Sequence, residues 1–196
     1  MSVLDIEKNL YEKFPVIDLG NGYILRQPAM NDGDIESIYK IYNDPKITIF
    51  VPDDCIPRGM EGAKDEVRYY ANAYLFRTAI YWFVAEKSTN KAIGTCGFPK
   101  WDRYNARLEL AYNLMSEYHN KGIMTGVLKE VVNFGFHTLK VRRIEAQLDP
   151  TNVASIHVLE KNGFSKDGIL PSYRYYKYGK HVDVLMMSII NNNYVR

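Results

Sequence analysis

A mixed α/β fold is what this 196-residue sequence predicts. Three observations lead there. Residues 123–139 carry apolar side chains at helical spacing: Ile123, Val127 and Val131 form one row, and Met124, Leu128, Val132 and Phe136 a second. Two apolar runs, 81–86 and 92–98, flank a polar Ser-Thr-Asn turn as a β-hairpin does. A strand–helix–strand order over 107–148 then predicts one βαβ crossover in an otherwise largely antiparallel sheet.

Each element has a local reason. Residues 1–20 read as a loosely packed lead-in. Residues 23–27 form a short strand closed by Pro28, which has no N–H to continue a ladder. Over 32–43 a helix is expected, with Asp32 as its cap and Ile35, Ile38, Tyr39 and Tyr42 on one face. Two prolines and a glycine make 52–60 a loop. Residues 61–77 follow as a helix with aromatics along one side. After the hairpin and the strand over 107–115 comes the 123–139 helix, whose two apolar rows make a broad stripe for burial. Residues 143–148 form a strand ended by Asp149-Pro150, and 153–161 a helix stopped at Asn162-Gly163. Strands at 164–170 and 182–189 flank a tyrosine-rich connection.

Bulk properties narrow the function. The length suits one domain, 1–196, able to bury a core without disulfides. A net charge of +2 with no long basic run does not argue for nucleic acid, and no nucleic-acid partner is expected. Cys55 and Cys96 lie far apart and lack the clustering of metal ligands, so no metal is expected. The longest apolar stretch, 184–190, is too short to span a bilayer, and the N-terminus shows no signal-peptide pattern. The expectation is a cytoplasmic protein without a membrane partner.

The most informative stretch is 109–130, ELAYNLMSEYHNKGIMTGVLKE. It runs from an apolar strand through a polar loop ending in glycine into an amphipathic helix. Such a junction aims unpaired amides at whatever lies off the helix tip, and a diphosphate is the ligand they suit. A single glycine is also what an ordinary strand-to-helix turn contains, so this segment alone leaves both readings open.

A second block narrows the choice. Residues 149–164 read DPTNVASIHVLEKNGF. Together with AYNLMSEYHNKGIMT and RRIEAQLDPTN, and with GNGYILRQP and AIGTCGF upstream, the chain resembles the GNAT superfamily of acyl-CoA-dependent N-acetyltransferases. It is most similar to the RimJ/RimL branch, the ribosomal-protein N-terminal acetyltransferases. The resemblance implies a twisted, mostly antiparallel central sheet with helices on both faces, and acetyl-CoA as cofactor. It implies backbone groups of Tyr112, Asn113 and Leu114 for the pantetheine arm. A pyrophosphate loop would comprise His119, Asn120, Lys121, Gly122, Ile123, Met124 and Thr125. His119 stands where the family usually has Gln or Arg, and Met124 where it often has Gly or Ala, so weaker cofactor affinity is expected. Asn152 matches the asparagine that contacts pantetheine, and it also suits a helix cap. Leu159 occupies the position of the tyrosine acid found in many relatives, which leaves Ser155 as candidate donor to the departing thiolate.

The attacking amine needs a proton acceptor. Glu109 matches a position where several relatives carry a carboxylate, and Glu145 on the neighbouring strand is the second candidate; either could equally be a structural ion-pair partner. Cys96 as an acyl-accepting nucleophile has no histidine placed beside it by sequence. The run PSYRYYKYGKH offers area for an acceptor groove or a homodimer contact, or is simply a hairpin with aromatic faces. The expected activity is acetyl-CoA-dependent acetylation of a primary amine, foremost a peptide N-terminal α-amine. A small amine such as a polyamine, amino acid or antibiotic is the alternative acceptor. A non-catalytic acyl-CoA-binding module is the rival of another class.

Overall fold

A computed structural model describes residues 10–176 and 179–195. Residues 1–9 of the lead-in, and Lys177 and Tyr178 of the tyrosine-rich run, lie outside them. The strands are β1 (Ile17–Asp18), β2 (Tyr23–Arg26), β3 (Ile80–Glu86), β4 (Ala92–Asp102), β5 (Arg107–Leu114), β6 (Arg143–Leu148), β7 (Ser165–Tyr176) and β8 (Lys180–Ile190). They form one sheet in the order β1-β2-β3-β4-β5-β6-β8-β7. Among the described residues only β5 and β6 pair in parallel, joined by the helix α4 (Ile123–His137) as the crossover requires. The other helices are α1 (Asp32–Tyr42), α2 (Pro45–Thr48), α3 (Gly59–Leu75) and α5 (Val153–Lys161).

Helices cover both faces because the central strands are apolar on both sides. Along β3 the alternation is direct. Ile80, Trp82 and Val84 face a core shared with Val127, Leu128 and Val131 of α4, whereas Tyr81 and Phe83 face Ile38 and Ile41 of α1 and Val67 and Tyr70 of α3. Both apolar rows expected on α4 are buried, apart from Phe136, which packs half-buried against the same core. An Arg26–Asp34 ion pair, with contacts of 2.5 and 2.9 Å, ties β2 to the start of α1, where Asn31 is the cap.

The cap of α1 is Asn31 and not the expected Asp32, and four further points go beyond or against the expectation. The described part of the lead-in is not loosely packed: Leu10 and Phe14 are buried, the Tyr74 hydroxyl donates to Leu10 O at 2.7 Å, and Trp82 Nε1 donates to Pro15 O at 2.6 Å. Aromatic groups from the sheet and α3 thus hold a segment whose own sequence shows no periodicity. Residues 45–48 form a helical turn started by Asp44, whose side chain accepts from Lys46 N, with Pro45 at the first position. Strand β4 runs on to Asp102, through an irregularity between Gly97 and Lys100 that accommodates Pro99. Strands β7 and β8 form one long hairpin, so the tyrosine-rich run is strand; Tyr173 and Tyr175 are exposed and Arg174 between them faces inward.

Two glycines of β4 permit close backbone approach, Gly94 toward β5 and Gly97 toward β3. A Cβ on Gly94 would lie 2.5 Å from Asn113 O, and one on Gly97 would lie 2.6 Å from Ile80 O. The Gly94→Ala substitution is therefore expected to destabilise the fold by about 1–3 kcal/mol through overpacking against backbone. Gly126→Ala, in open space on α4, should stabilise it by roughly 0.5–1 kcal/mol through helix propensity. Thermal denaturation of both variants checks this; a Gly94→Ala protein as stable as the parent contradicts it.

Candidate active site

The parallel pairing of β5 with β6 stops early. It joins Arg107, Leu108 and Glu109 to Arg143, Ile144 and Glu145, and no pair follows. Strand β5 continues to Leu114 along β4, while β6 continues to Leu148 along β8. The two strands part where β4 carries its irregularity, which bends and twists a ladder locally. The Met115 N–H donates to Ile93 O at 2.9 Å. Because antiparallel peptide groups alternate in direction, Asn113 also faces β4, and Tyr112 and Leu114 turn theirs into the gap. These unpaired groups line a cleft of about 1380 Å³.

Off the end of β5 the chain makes a 3₁₀ turn (Ser116–Tyr118), fixed by a hydrogen bond from the Tyr118 hydroxyl to Glu86 Oε1 at 2.9 Å. Asn120 and Gly122 adopt left-handed φ values of 60° and 73°, so the backbone curls before α4 begins. No side chain among the described residues caps α4. Its first amides, from Ile123 to Thr125, face the cleft with the positive end of the helix dipole behind them. Unpaired backbone donors concentrated at a helix tip suit a diphosphate, and the β5 edge nearby suits amide groups of an extended arm. The residues present thus fit coenzyme A.

The structure resolves both departures in the loop. The His119 ring does not reach outward: its Nε2 sits 2.8 Å from Leu114 O and bonds that carbonyl, locking the loop to β5. Leu114 therefore offers its N–H to the gap but not its C=O. Met124 is buried in the α4 core, so its bulk turns away from the helix tip. Lys121 is exposed outside the cleft, with its ammonium 5.0 Å from the Tyr118 ring centroid.

Across the gap, Asn152 caps α5 by accepting from Ser155 N at 3.1 Å. The Tyr112 hydroxyl donates to Ser155 O at 3.3 Å, so one tyrosine bridges β5 and α5. Burial pushes the Tyr112 phenol well above its usual range and keeps it protonated. Asn152 and Ser155 both line the cleft, and Leu159 is buried beneath them.

The two glutamates part company. Glu109 lines the cleft and makes no hydrogen bond or ion pair among the described residues. Glu145, its register partner, lies outside the cleft lining. It is 6% exposed, 2.7 Å from Arg143 Nε and 3.4 Å from Arg107 Nη1. Arg143 also binds Asp167. Two arginines neutralise Glu145, which is the chemistry of a structural ion pair rather than of a proton acceptor. Cys96 is fully buried and burial pushes its thiol up, so it has neither access nor thiolate character.

The sequence points to part of the opposite wall, the loops around 53–60 and 171–181 where acceptor choice is expected, but not to its residues on α1 and α3. There Tyr42 of α1, Glu66, Tyr69 and Tyr70 of α3, and Asp54 and Cys55 of the preceding loop line the cleft, with Arg174 reaching in from β7 to bond Gln147 Oε1 at 2.8 Å. The local signal for this wall was Glu66 one helical turn before Tyr70.

The comparisons with known proteins agree with this geometry. Residues 23–165 match the family described as Acetyltransferase (GNAT) domain. The chain is 31% identical over 171 residues to the uncharacterized N-acetyltransferase p20 of Bacillus licheniformis, covering 87% of this chain and 93% of that protein. It is 27% identical over 113 residues to the spermidine N(1)-acetyltransferase of Escherichia coli (strain K12), covering 58% and 60%. Among solved structures, the ribosomal-protein-S5-alanine acetyltransferase of Vibrio fischeri superposes with a TM-score of 0.80 at 26% identity, over 93% of this chain and all of that one. The parted strands, the uncapped helix and this match converge: the chain belongs to the GNAT family of N-acetyltransferases, enzymes that take their acetyl group from acetyl-CoA.

Proposed function

We propose that the acceptor is the α-amine at the N-terminus of a protein or peptide, acetylated by direct transfer in a ternary complex. The observation that carries this is the likeness in structure to a ribosomal-protein alanine acetyltransferase, at 26% identity over 93% of this chain. The cleft supports it. Its volume exceeds the roughly 300–1,000 Å³ of a typical small-molecule site, leaving room for a peptide end beside the cofactor arm. The carboxylates of Asp54, Asp65, Glu66 and Glu109 along it suit an approaching ammonium group.

Each residue then has a task. Acetyl-CoA supplies an electrophilic thioester carbonyl and a thiolate leaving group. The amides of Gly122, Ile123, Met124 and Thr125 hold its diphosphate, and the gap-facing groups of Tyr112 and Leu114 align its arm. Asn152 orients Ser155 through the cap, and Ser155 Oγ holds a proton near the departing sulfur. Glu109, with no cation bound to it, takes a proton from the attacking nitrogen. An α-amine with a pKa of about 8 is already partly neutral at pH 7, so one carboxylate is chemically sufficient for it.

A small-amine acceptor is the second reading, favoured by the spermidine relative and by the same acidic lining. Release of free thiol from acetyl-CoA, measured over a panel of peptides, spermidine and amino sugars, separates the two. Peptides with a free N-terminus should show a kcat/KM at least about tenfold above spermidine, a difference of roughly 1.4 kcal/mol in the transition state, and blocking that terminus should abolish turnover. Higher kcat/KM with spermidine overturns the peptide assignment.

The two glutamates supply a second prediction. Glu109→Gln should lower kcat by about 10²–10⁴-fold with little change in the KM for acetyl-CoA. Glu145→Gln should chiefly lower the Tm, because it leaves Arg107 and Arg143 under-compensated. An equal kcat loss in both variants contradicts the assignment.

A further inference from the structure

Among the acidic groups of the cleft stands a half-buried guanidinium that pairs with none of them. Strand β7 carries an irregularity between Leu170 and Arg174, where Ser172 adopts a left-handed φ of 50° and its N–H donates to Asp183 Oδ1 at 2.8 Å. A bulge of this kind re-aims the side chains beside it. Tyr173 and Tyr175 are exposed, and Arg174 between them is half-buried and lines the cleft. Its Nη2 donates to Oε1 of Gln147 at 2.8 Å, a neutral amide on β6 that lines the cleft as well. No carboxylate among the described residues pairs with Arg174, although Asp54, Glu66 and Glu109 line the same space. The lysines of that lining, Lys46 and Lys161, are both exposed. A guanidinium presents five N–H donors in a fixed fork. Anchored by one amide, Arg174 keeps its charge and its remaining donors for an anion.

The register of the sheet relates Arg174 to Glu109. Glu109 pairs with Glu145, so their side chains share a face, and Gln147, two residues further along β6, lies on that face too. At about 3.3 Å per residue, Gln147 stands roughly 7 Å beyond Glu145 along the strand. An amine at Glu109 and an anion at Arg174 are then separated by about one peptide residue and a short side chain, successive Cα atoms being about 3.8 Å apart. We propose that Arg174, oriented by Gln147, determines specificity by binding a carboxylate that the acceptor carries one residue away from its reacting amine. Two sources supply such a group: the acidic side chain of a peptide's second residue, and the carboxylate of a short ω-amino acid. A neutral group in that place leaves the guanidinium without its anion, and a cationic group is repelled, so selection draws on both effects. Arg174 holds substrate and moves no proton, which separates its role from that of Glu109.

The inference rests on acetylation of an amine beside Glu109, not on the peptide assignment. Its test uses acceptor pairs that differ only in charge: peptides beginning Ala-Glu and Ala-Gln with amidated C-termini, and δ-aminovalerate with its amide. For the parent enzyme kcat/KM should favour the acid of a pair by about 10–100-fold, the worth of a charge-assisted hydrogen bond to a fixed guanidinium. Arg174→Met should bring that ratio to within about threefold of unity, and Arg174→Glu should favour Ala-Lys over Ala-Glu peptides. A ratio near unity in the parent, or one that Arg174→Met leaves in place, overturns the assignment. A preference for the acid confined to δ-aminovalerate supports Arg174 and overturns only the peptide reading, whereas spermidine turned over ahead of every carboxylate-bearing acceptor overturns both. A second readout needs no turnover. In ¹⁵N-arginine-labelled protein with coenzyme A bound, the guanidinium Nε–H signal missing from Arg174→Lys should shift with the acid of a pair and not with its amide. A signal that neither moves, or that both move equally, overturns the contact.

Discussion

The separation of β5 from β6 after Glu109 is the constraint on which the rest of this molecule depends. Inside a sheet every peptide group normally finds a neighbour, and leaving several unpaired costs free energy unless something else satisfies them. Here the strands keep their outer partners, β4 and β8, and give up each other. The Tyr112 hydroxyl reaches across to α5, His119 satisfies Leu114 O, and the remaining groups face the cleft. The uncapped start of α4 adds a second set of unpaired donors to the same space. A fold that tolerates such unpaired groups in one place has built a backbone-lined ligand site there.

Much of this was legible in the sequence, for identifiable reasons. The α4 stripe has a period that only a helix buries, and the β3–β4 hairpin carries its own turn. The loop from 119 to 125 was recognisable because its chemistry lies in local backbone geometry, which glycine and the following helix announce. The roles of His119 and Met124 were not legible. A side chain's direction depends on neighbours the sequence places elsewhere: the His119 ring bonds Leu114 O and the Met124 side chain packs into the core. Glu109 and Glu145 looked equivalent as glutamates on adjacent strands; only the arginines that converge on Glu145 tell them apart. The lead-in escaped detection because Tyr74 and Trp82, more than sixty residues away, supply the bonds that order it.

The two walls of the cleft divide the work by physics. The β5–α4 side is a surface of backbone donors, insensitive to side-chain identity, which suits a cofactor common to a whole family. The α1–α3 side is made of side chains: buried tyrosine hydroxyls whose protons burial holds in place, carboxylates, and the single arginine reaching in from β7. The proposed acceptor recognition belongs on that side, because the amine is the variable partner. Its local signal is slight, Glu66 one helical turn before Tyr70, because Tyr42, Tyr70 and Asn113 come from three separate elements.

Amide-resolved hydrogen exchange of the protein with and without coenzyme A tests the backbone-lined site most directly. Slowed exchange should concentrate at Tyr112, at Leu114 and from Asn120 to Thr125, with Asn113, already bonded to β4, little changed. Protection that spares these amides and falls on another part of the sheet would contradict the assignment of the β5–β6 gap as the cofactor site.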